Sequence, residues 1–224
     1  IGAHLGAMSE IPVKTRVSLI EKYRLPWEAI PTEFLRDPDV WRIMLPNLGM
    51  TALIRNLGGM TELGTLAPFS NHANIACMRL TNQDELRKAR VHPFNLLVAH
   101  AVYKSGKSVK GSRTWKPIAQ ISDALEDAFY LAFKTIVPTG KRTMIGLDVS
   151  GSMSSPFMGS PLLVCEGAAA MAMTTMRTEK DYIVTAFDQG MRDLPITAKS
   201  SLADVLRHTR DINGGGTDCA LPML

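Results

Sequence analysis

The chain has 224 residues, 46% hydrophobic and 21% charged, a composition typical of a folded globular protein and not of a disordered one. Its net charge is +4, its three cysteines are too far apart to indicate a disulfide framework or a zinc motif, and no secretory signal is visible. No stretch approaches the roughly 20 apolar residues of a membrane span, so we expect no membrane contacts. The cysteine usage fits a reducing cytosol, so we expect a cytoplasmic protein.

The first 137 residues predict a series of short helices without strands. The predicted segments are 14–24, a helix with Asp37 as cap and Pro38 as first residue, 52–57 with Thr51 as cap, 82–90, 92–104 and 117–137. Gly58 and Gly59 are expected to end the third of these helices. Consecutive short helices favour helical hairpins stacked as a solenoid of HEAT-like repeats, although the sequence has no fixed-period repeat.

A basic segment lies within this part, between residues 79 and 116. It contains nine lysines and arginines and only two acids. Such a segment is either a solvated surface or a contact for a polyanion, because clustered cations release counterions from phosphates. Gly and Ser between regularly spaced cations favour the polyanion contact, with Trp115 available to stack on a base. The candidate nucleic-acid contacts are Lys104, Lys107, Lys110, Arg113, Lys116 and Arg90.

After Gly140 the pattern changes to strands alternating with helices. We predict strands at 143–147 and 182–187, a weaker third strand at 191–197, and helices at 161–177 and from a serine cap at 200 or 201 to residue 210. This alternation is typical of an α/β sheet with largely parallel strands. Ligands of such sheets bind beyond the carboxyl ends of the strands, which is where Asp148 is expected.

Oxygen-bearing side chains cluster in two predicted loops of this part. Asp148, Ser150 and Ser152 follow the first strand at alternate positions, so a carboxylate and two hydroxyls can converge. A glycine-rich segment that ends in Thr217 and Asp218 is expected to follow another strand and to lie beside them. Mg²⁺ prefers oxygen ligands and keeps several waters. The pattern predicts a site for Mg²⁺ or another divalent cation formed by Asp148, Ser150, Ser152 and Thr217, with Asp218 nearby; a serine-rich capping turn is the alternative.

These motifs carry a family resemblance. Asp148-Val-Ser-Gly-Ser152 with Gly215-Gly-Thr217 resembles the metal-ion-dependent adhesion site (MIDAS) of von Willebrand factor type A domains. Almost the whole chain is similar to the Ro autoantigen family of RNA-binding ribonucleoproteins, and to its bacterial members in particular. The similar stretches are Val40-Trp41, 50–61, Arg90-Val-His-Pro-Phe94, 139–142, 177–181 and 215–223.

The resemblance implies both an architecture and a function. The architecture is a ring of helical repeats, the TROVE module, followed by a type A domain, with residues 1–137 in the first and 138–224 in the second. The function is binding of small noncoding Y-like RNAs outside the ring and of misfolded or single-stranded RNA ends through its hole, without catalysis. An exoribonuclease or another protein is a candidate partner at the metal site.

Two departures limit this resemblance. The chain stops before the third metal-site loop of the family, where a further acidic residue is expected, and it starts inside the helical module. We therefore expect a fragment that is truncated at both ends.

Two alternative functions stay open at this point. Asp148 beside Mg²⁺ could be the phosphoryl-accepting nucleophile of a phosphotransferase or phosphatase, although no lysine or second carboxylate closely follows it. The type A part could also belong to a purely protein-binding adhesion module, which would show no salt-dependent affinity for RNA.

Overall fold

The amino-terminal part of the chain is helical. The computed structural model describes residues 12–211 and 214–223. Within them the first helices are α1 (Val13–Tyr23), α2 (Pro38–Met44), α3 (Met50–Glu62), α4 (Asn71–Leu80), α5 (Gln83–Lys88), α6 (Pro93–Ser105) and α7 (Ala119–Ala132). The predicted start of α2 is confirmed: Pro38 is its first residue, and Oδ1 of Asp37 accepts a hydrogen bond from Asp39 N at 2.8 Å. None of the helices in the described part of the chain has the length and apolar character needed to cross a membrane.

An α/β part follows, as predicted. Its elements are β1 (Thr143–Asp148), α8 (Val164–Thr178), β2 (Tyr182–Phe187), β3 (Met191–Arg192) and α9 (Leu202–Asp211). Strands β1 and β2 are parallel, with Asp148 opposite Phe187 at their carboxyl ends. The third strand is antiparallel to β2 and much shorter than predicted. The chain leaves the sheet after Arg192 because Pro195 lacks an N–H to donate and Leu194 and Ile196 are buried in the core.

Two glycines in the middle of α3 do not end the helix, contrary to the sequence-based expectation. A Cβ on Gly58 would lie 2.6 Å from the Trp115 ring, and one on Gly59 would lie 2.5 Å from Nη1 of Arg113. Both distances are too short for a real contact. The glycines therefore allow the chain at residues 113–115 to approach α3 closely, and α3 continues to Glu62.

The helical and α/β parts share one buried hydrophobic cluster that extends from α1 to α9. Polar and cationic contacts reinforce it at the junction. The guanidinium of Arg177 lies over the rings of Tyr130 (4.9 Å to the centroid) and Phe133 (5.2 Å), and it donates to the Ser200 carbonyl at 2.8 Å. The Tyr130 hydroxyl also accepts a hydrogen bond from Leu202 N at 2.8 Å. Helix α7 is thus attached to both helices of the α/β part.

Glu179 fixes the connection between the two parts. It follows α8 and is buried, and its carboxylate accepts hydrogen bonds from Thr139 N at 2.6 Å and Gly140 N at 3.0 Å. The hydrogen bond from Thr139 N is the main reason that the pKa of this carboxyl lies below its ordinary value. The charged form of Glu179 is therefore favoured by folding.

Replacing Glu179 with glutamine should lower the free energy of unfolding at neutral pH, because the neutral side chain keeps only one acceptor oxygen for these two donors. Because the pKa of Glu179 is lower in the folded state, its ionised carboxylate stabilises the fold at pH values above the ordinary glutamate pKa of about 4.3. This contribution to the free energy of unfolding is lost as the pH falls through the lowered pKa. Urea denaturation should show the full difference between wild type and variant at neutral pH and a shrinking one below about pH 4. Glu33→Gln removes the same charge from an exposed site and is the control. A difference independent of pH would contradict the assignment.

Candidate functional site

The candidate metal loop, residues 148–152, begins at the last residue of β1. The Asp148 carboxylate oxygen Oδ1 accepts a hydrogen bond from Ser150 N at 2.8 Å, which fixes the turn. The Ser150 hydroxyl is buried at 1% exposure, and its Oγ lies 3.2 Å from Oγ of the exposed Ser152. The predicted carboxylate and two hydroxyls are therefore held on one short loop, and the two hydroxyl oxygens lie side by side.

A second loop, residues 214–218, lies against the candidate metal loop. Gly151 N donates to the Gly215 carbonyl, and Gly214 N donates to the Val149 carbonyl, both at 2.9 Å. Gly215 adopts a left-handed conformation (φ +80°), which a side chain would strain. The sequence predicted that this second loop follows a strand, whereas in the structure it comes after α9. The backbone of the loop nevertheless reaches the carboxyl end of β1.

The two predicted ligands of this second loop, Thr217 and Asp218, are both exposed. The side chain of Asp218 accepts a hydrogen bond from Ala220 N at 3.0 Å, and its backbone N donates to the Asp188 carbonyl at 2.8 Å. These contacts hold Thr217 and Asp218 in a loop that neighbours Asp148. The convergence of their side chains on one cation stays a prediction.

The basic segment contains a small hairpin at residues 106–115, which we call the basic hairpin. It connects α6 to α7, with Trp115 N donating to the Gly106 carbonyl at 2.8 Å and Ser108 N donating to the Arg113 carbonyl at 3.0 Å. Gly111 near its tip has a positive φ of 88°. Five candidate nucleic-acid contacts are brought together on or beside it: Lys107, Lys110, Arg113, Lys104 and Lys116.

The cations of the basic hairpin are exposed and mostly without acidic partners. Arg113 faces Glu62 of α3 with its Nε 3.7 Å from Oε2. Within the described ranges, the other candidate cations, including Arg90 just beyond α5, form no ion pair with a carboxylate. The two acids of the basic segment pair instead with arginines of α4 and α5. The hairpin surface is therefore positively charged.

Trp115 is a packing residue, which corrects its expected role as a free platform for a base. Its indole Nε1 donates to the Tyr103 carbonyl at 2.8 Å, and its ring stacks on the Tyr103 ring with centroids 6.1 Å apart. The ring also rests on the backbone of Gly58. Trp115 thus anchors the base of the basic hairpin to α3 and α6.

Comparison with known protein families identifies the two parts of the chain. Residues 22–141 match the model of the TROVE domain, and residues 142–224 match the model of the Ro60 vWA domain. The chain belongs to the Ro60 family.

Individual Ro60-family proteins are similar over the whole chain. It is 40% identical to "RNA-binding protein RO60" of Caenorhabditis elegans over 224 residues, and 38% identical to the protein of the same name from Deinococcus radiodurans over 228 residues. These matches cover all of this chain but only 34% and 43% of the two relatives. The crystal structure of the Deinococcus radiodurans RO (RSR) protein superimposes with a TM-score of 0.80 at 36% identity, over 92% of this chain and 41% of that one.

Asp188 is a residue of this site that the sequence analysis missed. It follows β2 directly, is 2% exposed, and its Oδ2 accepts a hydrogen bond from Nη2 of Arg192 at 2.7 Å. The contact with Arg192 is the main reason that the pKa of Asp188 lies below its ordinary value. A Cβ on Gly215 would lie 3.5 Å from Oδ2 of Asp188, so the carboxylate supports the second loop. Its position after the second parallel strand, like that of Asp148 after the first, was the available signal.

The donor set of the candidate metal loop fits a hard cation. The described residues contain no group of three or more His, Cys, Asp or Glu side chains that could hold a metal. The oxygen donors that the structure holds on one loop with Asp148 are the hydroxyls of Ser150 and Ser152. Hydroxyl and carboxylate oxygens suit Mg²⁺ or a similar ion better than a softer metal.

Proposed function

We propose that this chain supplies an RNA-binding surface of a Ro-type ribonucleoprotein. The observation that carries the proposal is the basic hairpin, where exposed cations outnumber their acidic partners: Arg113 faces Glu62, but Lys107 and Lys110 form no ion pair within the described ranges. Such cations bind phosphates and release counterions, largely irrespective of base sequence. The two relatives are each named as RNA-binding proteins, which supports the same conclusion.

The proposed ligands are small noncoding Y-like RNAs and the single-stranded ends of misfolded RNAs, as the family resemblance implies. Exposed cations that lie close together can follow the backbone of a single RNA strand without reading its sequence. We propose no catalytic role for the chain, and we propose that it functions in the cytoplasm.

The α/β part is proposed to bind a divalent cation, Mg²⁺ above all. Asp148, Ser150, Ser152 and Thr217 would hold it, and Asp218 would lie nearby. Waters would complete the shell, and one of them could give way to a carboxylate of a protein partner, such as an exoribonuclease. The site is thus proposed as a docking point for protein, separate from the RNA surface.

Replacing Lys107, Lys110 and Arg113 with alanine should weaken binding to many RNAs about equally. The slope of log affinity against log salt should flatten by up to about 0.7 for each phosphate of a single strand that these cations no longer neutralise. Fluorescence anisotropy with labelled RNAs at several salt concentrations measures both effects.

The matched control removes three lysines from exposed positions of the α/β part, Lys141, Lys180 and Lys199. The net charge changes equally in the two triple variants, so a difference between them reports the location of the charges. If the hairpin variant keeps the wild-type slope, its cations are only a solvated surface and the proposal fails.

A further inference from the structure

A cleft of about 580 Å³ lies beside the basic hairpin. It is bounded by α3, by α6 from Phe94 to Tyr103, by the hairpin and by the short turn Phe157–Gly159 of the α/β part. Pockets of about 300–1,000 Å³ commonly enclose small ligands. The cleft is large enough for one nucleotide and too small for a nucleic-acid duplex.

The charge of the cleft suits an anion. Three arginines line it, Arg55 of α3, Arg90 and Arg113, and the lining contains no aspartate or glutamate. Arg55 and Arg90 form no ion pair with a carboxylate of the described chain, and both are exposed. Guanidinium groups donate in a fork that matches phosphate oxygens. A phosphate would therefore find uncompensated donors at the edge of this cleft.

The interior of the cleft suits a base. Its wall includes Val98 and the ring of Phe94, which meets the ring of Phe157 edge to face at a centroid distance of 5.2 Å. Val98, Phe94 and Phe157 therefore present an apolar wall against which a base can pack.

We propose that this cleft holds one unstacked nucleotide of a single-stranded RNA. Its base lies against Phe94 and Val98, and its flanking phosphates contact Arg55, Arg90 and Arg113. The inference rests on the proposed RNA binding and adds a defined place for one base beside the basic hairpin.

Two variants test the cleft. Val98→Trp fills it and leaves every cation in place, and Arg55→Ala removes one phosphate donor from an exposed position. We expect each to weaken binding of a short fluorescein-labelled oligouridylate by about fivefold or more. Val98→Trp prevents one base from stacking in the cleft, and Arg55→Ala removes one charged hydrogen bond to a phosphate. Arg36→Ala removes an exposed arginine elsewhere in the helical part and should leave the affinity unchanged. Circular dichroism and thermal unfolding verify that each variant is folded, and Arg55→Ala carries the test if Val98→Trp does not fold.

Photocrosslinking with the same oligomer containing 4-thiouridine identifies the position of the base. The expected crosslinks map to Phe94, Phe157 and Met158. If wild type binds the oligomer but Arg55→Ala and the folded Val98→Trp bind as tightly, or if the crosslinks fall only on the hairpin lysines, the cleft is not a nucleotide site while RNA binding stands. If wild type shows no salt-dependent RNA affinity, both the proposed function and this inference are overturned. A cleft covered by another polypeptide segment would give the first of these results.

Discussion

Replacing Trp115 with alanine should lower the free energy of unfolding by about 3 kcal/mol, the lower end of the range for large aromatic side chains in cores, because this ring is only partly buried. In the variant no ring packs on Gly58 or stacks on Tyr103, and the Tyr103 carbonyl has no indole donor. Urea denaturation followed by circular dichroism measures the decrease. Lys116→Ala, at the adjacent exposed position, should change the stability little. A decrease below about 1 kcal/mol would show that the indole is not the anchor of the hairpin.

Gly58→Ala should have opposite effects on the free energy of unfolding in the wild-type and Trp115→Ala backgrounds. In the wild-type background Gly58→Ala places a Cβ against the indole and should destabilise the protein by about 1–3 kcal/mol. In the Trp115→Ala background the same change should stabilise it by about 0.5–1 kcal/mol, since alanine favours a helix more than glycine does. Simple additivity of the two substitutions would refute the close approach of the hairpin to α3.

Replacing Asp148 with alanine should abolish binding of Mg²⁺ or Mn²⁺. Asp148 supplies the only full negative charge among the four proposed ligands, while the hydroxyls of Ser150, Ser152 and Thr217 mainly define geometry. Calorimetric titration measures the binding directly. In wild type a cation concentration of about 100 times Kd should raise the free energy of unfolding by about 2.7 kcal/mol, and in the variant the rise should disappear.

The RNA affinity of Asp148→Ala should stay close to that of wild type, because the basic hairpin is a separate surface. Asp193→Ala removes an exposed carboxylate elsewhere in the α/β part and should keep the metal response. If Asp148→Ala binds the cation as wild type does, residues 148–152 are only a serine-rich turn. If a phosphoester substrate is turned over with Mg²⁺ and Asp148→Asn stops the turnover, the protein is an enzyme and the binding role is wrong.

Local signals in the sequence predicted most elements of the fold. Asp37 and Pro38 identified the start of α2, and alternation after Gly140 identified the change from helices to an α/β sheet. Contacts between distant segments were not predictable in this way. Gly58 and Gly59 predicted a helix end, because periodicity contains no information about the arrival of residues 113–115 more than fifty positions later.

The candidate site shows the same limit. Asp148, Ser150 and Ser152 were recognisable because they are close in sequence and follow a strand. Asp188 carries no motif of its own, and its place directly after the predicted second strand was the one signal that pointed to it. Trp115 was considered available to stack on a base because it lies among regularly spaced cations. Only its packing against Tyr103 and Gly58 shows that it points inward.

The junction between α7 and the α/β part has a consequence for how this architecture can change during evolution. The Tyr130 side chain makes two contacts with the α/β part: its ring lies under the Arg177 guanidinium, and its hydroxyl accepts a hydrogen bond from Leu202 N. The buried hydrophobic cluster is continuous across this junction. A substitution of Tyr130, or of a residue that contacts it, therefore changes the packing on both sides of the boundary between the TROVE and vWA domains. Neither half can be exchanged for its counterpart from a distant relative unless the residues that meet at Tyr130 change with it.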